Sequence, residues 1–343
     1  MDKINQYFLD ELVKKAVKKE NIWGFVIRVE NTDLSLSLMS SGGNIQSEDY
    51  YFIASVTKLY VTTIILQLRA AGRLQLDDPI KQYLSSDIMS GLHIRKGIDY
   101  SSDITIRHLM SNTTGIRSYF TSDIIDQLAS GHDQIWPLEK TLDAIKQTKP
   151  RFKPGQKGRA LYSDTNYQLL GKIIENITDK PIGEMFKHNI FDPLQLEKTY
   201  VYENMQDTRP VPLYFQNLKV HIPKYMTSVT SEGGIVSTAR DTMIFLKAFF
   251  NGQLFSKNDL SELTARWNLL FGPGLFFYGT GISKQPITAF DLKDGLLGHW
   301  GQSGAFAFYH PKSDLYFTGT VNQFSGHSTA ARMMIKLIKQ QLT

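Results

Sequence analysis

Phe52-Ile53-Ala54-Ser55-Val56-Thr57-Lys58-Leu59-Tyr60-Val61-Thr62-Thr63-Ile64-Ile65-Leu66-Gln67-Leu68-Arg69-Ala70-Ala71-Gly72 is the most informative stretch of the chain. From Ser55 onward Val56, Leu59, Tyr60, Thr63, Ile64 and Leu68 follow a helical period, and Gly72 supplies the left-handed cap that ends many helices. This helix is apolar on nearly every face, which predicts burial. At its mouth sits Ser55-Val56-Thr57-Lys58, the only Ser-x-x-Lys in the sequence. Residues three apart share a helix face, so the serine hydroxyl and the lysine amine are neighbours, with Ser55 at the positive end of the helix dipole. A serine hydroxyl is a weak nucleophile until a base takes its proton. Burial of Lys58 in an apolar helix favours the neutral amine that can do so.

The rest of the composition narrows the chemistry. The 343 residues are 42% hydrophobic and 21% charged, enough apolar material for two domains or one large one, and too apolar for a disordered chain. Cysteine is absent, which excludes disulfides, iron–sulfur clusters, cysteine-based zinc sites and a thiol nucleophile. The net charge of +5 is spread along the chain. Its densest cluster, Lys14-Lys15 with Lys18-Lys19, lies opposite Ile4, Phe8, Leu12, Val13, Ala16 and Val17 on an amphipathic first helix, so no nucleic-acid partner is implied. No apolar run reaches the ~18 residues of a membrane span; the best, Leu269 to Phe277, is interrupted by Gly272-Pro273-Gly274. The first twenty residues alternate charged with apolar, unlike a signal peptide. The chain reads as cytoplasmic as written, or as an envelope or secreted protein whose signal was trimmed.

Gly24-Phe25-Val26-Ile27-Arg28-Val29 is β-rich, Asn31-Thr32-Asp33 is turn chemistry, and Leu34 to Leu38 alternates with period two, which predicts a hairpin. Between Asp77 and Lys224 short helical patterns are punctuated by Pro79, Gly91, Gly115, Pro137, Pro150, Pro154-Gly155 and Pro181. After Gly233-Gly234 a helix over about Asp241 to Phe250 precedes strands at Tyr278 to Ile282, Gly304 to Tyr309 and Leu315 to Val321. A last helix carries Met334, Leu337 and Ile338 on one face. This order implies one sheet built from both chain ends: residues 1–76 plus 226–343 form an α/β sheet domain, and 77–225 a helical insert, with the site between them.

The chain has no G-x-S-x-G, H-E-x-x-H, Walker A or G-x-G-x-x-G pattern. Five ordered pieces instead carry a resemblance. They are Phe52 to Lys58 with Gly72-Arg73-Leu74-Gln75-Leu76-Asp77-Asp78-Pro79; Ile104 to Met110 with Thr113-Thr114-Gly115; Lys153-Pro154-Gly155 leading to Tyr162-Ser163-Asp164-Thr165-Asn166-Tyr167 and Leu170-Gly171; Gly233-Gly234 with Ser237-Thr238-Ala239; and Gly298-His299-Trp300-Gly301. Over roughly residues 20 to 340 the chain resembles the serine hydrolases related to class C β-lactamases, D-Ala-D-Ala carboxypeptidases (penicillin-binding proteins) and their esterase relatives. The resemblance implies a β-lactamase/transpeptidase-like fold of the α+β type: an antiparallel sheet flanked by helices, with an inserted mainly helical domain. It implies that Ser55 is acylated, that Lys58 is its partner, and that Tyr162 exchanges protons with the serine and the leaving group. A phenol beside a lysine ammonium is expected to have a lowered pKa and to act as base and then acid. The backbone N–H groups of Ser55 and Gln302 would form the oxyanion hole. Gly301 would admit substrate to the strand edge, and His299 would hydrogen-bond a substrate carboxylate or, if protonated, attract it.

Two departures bear on specificity. The family's Tyr-x-Asn is here Tyr162-Ser163-Asp164, so an amide donor is replaced by a carboxylate that only accepts when ionised. Asp164 is expected to pair with Lys58, keep it an ammonium and leave more of the base role to Tyr162. It also suits a substrate with a free amine, such as a D-amino-acid amide or peptide. Trp300 stands where a small or hydroxylated residue is usual, so it should narrow the cleft or wall it. These features leave three readings: a small amide or peptide hydrolase of the carboxypeptidase or D-aminopeptidase kind, an esterase or transesterase on hydrophobic esters, and a non-catalytic penicillin-binding-like protein. The partner is a small-molecule or peptide substrate. No cofactor or metal is implied, since no His/Asp cluster has ligand spacing.

Overall fold

The computed structural model describes residues 4–18, 22–271, 275–288, 291–324 and 326–342, so Lys19 and the Gly272-Pro273-Gly274 break lie outside the described residues. Eight antiparallel strands form the main sheet. From one edge to the other they are Asn268–Phe271, Phe276–Tyr278, Ser283–Thr288, Asp291–Trp300, Ala305–His310, Leu315–Thr320, Gly24–Glu30 and Ser37–Gly43. The two chain ends meet where Gly24–Glu30 pairs with Leu315–Thr320, Val26 opposite Thr320 and Val29 opposite Phe317. Residues 77–225 contribute no strand to this sheet.

Period-two alternation sorts the side chains between two cores. Phe25, Ile27, Val29, Phe306, Phe308 and Phe317 face the N-terminal helix Gln6–Ala16 and the C-terminal helix His327–Leu342, where Leu9, Val13, Met334, Leu337 and Ile338 meet them. Lys14, Lys15 and Lys18 stay exposed. Val26, Ala305, Ala307 and Tyr316 face the opposite way, into a larger core shared with the helices Thr57–Ala70 and Ala239–Asn251. That core continues through the helical region: Leu109, Tyr167, Leu170 and Ile174 belong to it. Pro79, Pro137 and Pro181 each stand just before a short helix, where the missing N–H costs nothing.

Three expectations need correction. The hairpin's second strand begins at Ser37, not Leu34, because Leu34 takes a left-handed backbone (φ 63°) and the turn extends to it. Residues 279–282 form a tight turn, closed by Gly279 N–H donating to the Ile282 carbonyl at 2.8 Å, between strands rather than within one. The longest strand, Asp291–Trp300, has no counterpart in the sequence reading outside its His299-Trp300 end.

Candidate active site

A short strand, Tyr51–Phe52, pairs with Ile235–Ser237 and delivers the chain to a single 3₁₀ turn, Ala54–Val56, which runs into the helix Thr57–Ala70. Ser55 therefore sits one turn ahead of the helix. Ala54 reaches this corner with φ +45°, a left-handed conformation that costs an L-residue roughly 1–2 kcal/mol. The surroundings hold it there. Ile53 N–H donates to the Ile235 carbonyl at 3.0 Å and Val56 N–H to the Ile53 carbonyl at 3.1 Å. The Ser303 hydroxyl donates to the Phe52 carbonyl at 2.6 Å.

The Lys58 side chain is wholly buried. Its Nζ lies 2.7 Å from Ser55 Oγ, 2.8 Å from Asp164 Oδ1 and 2.8 Å from the Glu232 backbone carbonyl. Three N–H donors thus find three acceptors, the coordination of an ammonium. The rings of Tyr162 and Tyr167 each lie 5.3 Å from the same nitrogen. Asp164 opens the helix Asp164–Thr178, where the dipole favours a carboxylate, and its second oxygen accepts the Ser118 hydroxyl at 3.0 Å. The Lys58–Asp164 pairing expected from sequence is thus present. Asn166 turns away: fully buried, it donates to Asn112 Oδ1 at 3.0 Å and accepts from Thr114 Oγ1 at 3.0 Å.

Tyr162 stands beside Ser55, but its acidity departs from expectation. Burial first, then the Asp164 carboxylate, pushes the phenol well above its ordinary range, and the hydrogen bond with Ser55 only partly offsets this. The lowering expected from the lysine is not found: burial and the nearby Asp164 carboxylate set the direction.

His299 is buried at the end of the strand Asp291–Trp300. Burial, and then the Lys58 charge, pushes its imidazole down to about 3. It is therefore neutral at physiological pH, and attraction of a carboxylate by a protonated ring is ruled out. Its Nδ1 donates to the Trp300 carbonyl at 2.6 Å, which fixes the tautomer: Nε2 accepts from Tyr278 Oη at 3.1 Å, and Tyr278 in turn accepts from Tyr167 Oη at 2.9 Å. Trp300, on the opposite strand face, is 8% exposed; it packs on Phe306, Phe308 and His327 and donates from Nε1 to Gln285 Oε1 at 2.9 Å. Its edge walls the cleft rather than obstructing it. The neighbouring Gly301 has a packing reason to be glycine. A Cβ there would fall inside 3.0 Å of the Ile53 carbonyl oxygen and 3.2 Å from the Ala54 Cβ, so the strand end abuts the turn that carries Ser55.

Ser55, Tyr162, Asp164, His299, Trp300 and Gln302 line one cleft of about 580 Å³. Much of the rest of its wall is apolar, with Phe120, Leu213, Ile222, Met226, Val229 and Phe324 prominent, interrupted by Gln285, Ser303, His327 and Ser328, and no Lys or Arg stands among the described lining residues. Sequence reasoning missed Glu232, a second lining carboxylate. It is 4% exposed, and burial pushes it up to about 7 against the pull of the Lys58 ammonium. Its only signal was an acid set directly before Gly233-Gly234. Also missed were Tyr278 and Ser118, which orient His299 and Asp164. Among the described residues no group of three His, Asp or Glu side chains is placed to hold a metal ion, and no helix is long and apolar enough to cross a membrane.

Comparison with known proteins agrees with this architecture. A Salmonella typhi protein provisionally named a D-alanyl-D-alanine carboxypeptidase is 26% identical over 329 residues, covering 85% of this chain and 72% of its own. Among solved structures, a D-stereospecific amidohydrolase from Streptomyces superposes with a TM-score of 0.79 at 24% identity, over 96% of this chain and 98% of its own. The octameric penicillin-binding protein homologue from Pyrococcus abyssi gives 0.78 at 23%, over 98% and 78%. The Beta-lactamase family model matches residues 10–339, nearly the whole chain, and the chain belongs to that family of hydrolases.

Proposed function

We propose that the protein cleaves a small amide, peptide or ester through an acyl-enzyme at Ser55. The observation that carries this reading is the contact of a buried Lys58 with the Ser55 hydroxyl at 2.7 Å, at the floor of a cleft large enough for a substrate. Because Lys58 has the coordination of an ammonium and Tyr162 is a neutral phenol, the proton does not need a resting base. As Ser55 Oγ attacks the carbonyl carbon, its proton passes to the Tyr162 oxygen while the Tyr162 proton passes to the leaving nitrogen or oxygen. Lys58 keeps its charge and stabilises the developing negative charge on Oγ. The N–H groups of Ser55 and Gln302 receive the carbonyl oxygen. Water then attacks the acyl-enzyme, and its proton returns through Tyr162 to Ser55. Asp164, bonded to Lys58 through one oxygen and to Ser118 through the other, holds Lys58 in this role, and residues 77–225 act as the helical insert that carries Tyr162 and Asp164 to the site.

The apolar wall favours an acyl group of aromatic or branched aliphatic bulk. A substrate with a free carboxylate meets two carboxylates and no free cation among the described lining residues, which disfavours carboxypeptidase and β-lactam substrates. The apolar lining also supports the esterase reading. Intact-mass analysis after exposure to a fluorophosphonate and, separately, to benzylpenicillin tests the proposal. A single adduct from the fluorophosphonate, lost in Ser55→Ala, and none from penicillin is the expected result. Adducts from both identify a penicillin-binding type, and none from either on folded protein rejects the acyl-enzyme.

A further inference from the structure

Asp164, the carboxylate that the sequence offers as a reader of substrate amines, already has a cation of its own: one oxygen pairs with Lys58 at 2.8 Å and the other accepts the Ser118 hydroxyl. Glu232 is in a different position. Its Oε1 accepts from Tyr119 Oη at 2.9 Å and from Gln168 Nε2 at 2.7 Å, and its Oε2 accepts only the Ser231 hydroxyl, at 3.1 Å. All three donors are neutral, so among the described residues no cation is bonded to either oxygen of Glu232. The residue lines the cleft beside Asp164, and behind it borders a second cavity of about 150 Å³. Its backbone carbonyl holds Lys58, which fixes the side chain's position relative to Ser55.

Local charge points the same way. Lys58 and Asp164 form an ion pair at 2.8 Å, whereas Glu232 feels the Lys58 ammonium only at a distance and has no ion-pair partner of its own among the described residues. The other groups facing it do not supply a cation. Tyr119, Tyr225 and Tyr162 are phenols held neutral by burial. Lys172 and Glu175 border the rear cavity as a pair of opposite sign, 3.8 Å apart. Resting on the reading of the cleft as an acyl-enzyme site, we propose that Glu232 is a specificity-determining residue that binds the ammonium of an amine-bearing substrate whose apolar side group occupies the Phe120–Ile222–Met226 wall. The substrate class is then an amino-acid amide, ester or short peptide with a free amine and an aromatic or aliphatic side chain.

The raised affinity of Glu232 for its proton gives the proposal a distinctive signature. A cation that binds beside it at pH 6 must expel that proton, and at pH 8 there is little left to expel. The test is calorimetric titration of the unmodified protein with 2-phenylethylamine, cationic throughout this range, and with 2-phenylethanol, its neutral counterpart, in buffers of different ionisation enthalpy. With Glu232 titrating at about 7, the amine should release about 0.9 proton per site at pH 6 and about 0.1 at pH 8, and bind up to tenfold more tightly at pH 8. The alcohol should release none at either pH. In Glu232→Gln the amine's proton release should vanish and its preference over the alcohol should fall at least tenfold. Equal behaviour of amine and alcohol in the unmodified protein, no detectable amine binding, or unchanged proton release in Glu232→Gln each overturns the proposal. The comparison of the two ligands stands even if the variant does not fold. Because binding is read without turnover, failure here is distinguishable from failure of Ser55 to react with the fluorophosphonate.

Discussion

Substitution of Gly301 by alanine tests whether the strand end sets the position of the nucleophile. The new Cβ would collide with the Ile53 carbonyl oxygen and crowd the Cβ atoms of Ala54 and Ala305, both at 3.2 Å. Close carbon–oxygen contacts settle near 3.3 Å, so the turn bearing Ser55 or the strand end must retreat by roughly 1 Å. The turn cannot yield without disturbing the left-handed Ala54, and the strand cannot without disturbing the Gly301 N–H bond to the Ala305 carbonyl at 2.7 Å. A displacement of this size in a reacting group costs on the order of 100-fold in rate, and overpacking costs about 1–3 kcal/mol in stability. The assay is the rate of fluorophosphonate labelling at Ser55 together with thermal unfolding. Gly72→Ala supplies the control: φ there is +68° but nothing lies within 4 Å of the added Cβ, so it should lose about 1 kcal/mol and keep the labelling rate. Labelling of Gly301→Ala at the unmodified rate, or an equal loss in Gly72→Ala, would refute the reasoning.

Tyr162→Phe should lower acylation about 10²- to 10⁴-fold with little change in melting temperature, since the ring contacts remain; steady-state kinetics and unfolding curves check this. The unmodified enzyme should show no rise in kcat/KM between pH 8 and 10, because the phenol stays protonated there. The His299 imidazole should give NMR shifts of a neutral ring from pH 8 down to pH 5. Its folded-state affinity for protons is depressed below the unfolded value of 6.5, so its contribution to stability is present above that pH and is lost as pH falls toward 3. Glu232 has the opposite sign. Its pKa rises from 4.5 unfolded to about 7 folded, so stability is lost as pH rises across that window, by about 3 kcal/mol, and Glu232→Gln should flatten this part of the profile in urea titrations. Lys58→Met should cost about 3–5 kcal/mol by stranding Asp164, and adding Asp164→Asn should recover most of that stability but none of the activity.

What was legible in the sequence was what local chemistry encodes. Ser55 and Lys58 are three apart at a helix start and Gly72 ends that helix, each visible without knowing what packs nearby. The β-rich run from Gly24 to Val29 likewise announces a strand. Asp291–Trp300 announces nothing, because Asp291, Lys293, Asp294, Gly295 and Gly298 are poor strand formers; it is a strand because partners on both sides, Ser283–Thr288 and Ala305–His310, supply its ladder. The acidities of Tyr162 and His299 were misjudged or left open for a related reason. They depend on burial and on which charge is already paired, and both are properties of the assembled site.

The exchange of the family's amide for Asp164 ties these observations together. A lysine buried to 0% exposure pays a large desolvation penalty unless its charge is met, and one carbonyl and one hydroxyl do not meet it. A carboxylate at 2.8 Å meets the charge of the buried lysine, and in the proposed mechanism Lys58 stays a fixed positive charge beneath Ser55 Oγ. In that mechanism the proton travels through the neutral Tyr162 phenol, which touches the serine and can both give and take. The same pairing gives Asp164 a cation of its own and leaves Glu232 as the lining carboxylate without an ion-pair partner among the described residues. One carboxylate thus sets the protonation state of the machinery, and its consumption in that task transfers charge selectivity to the other.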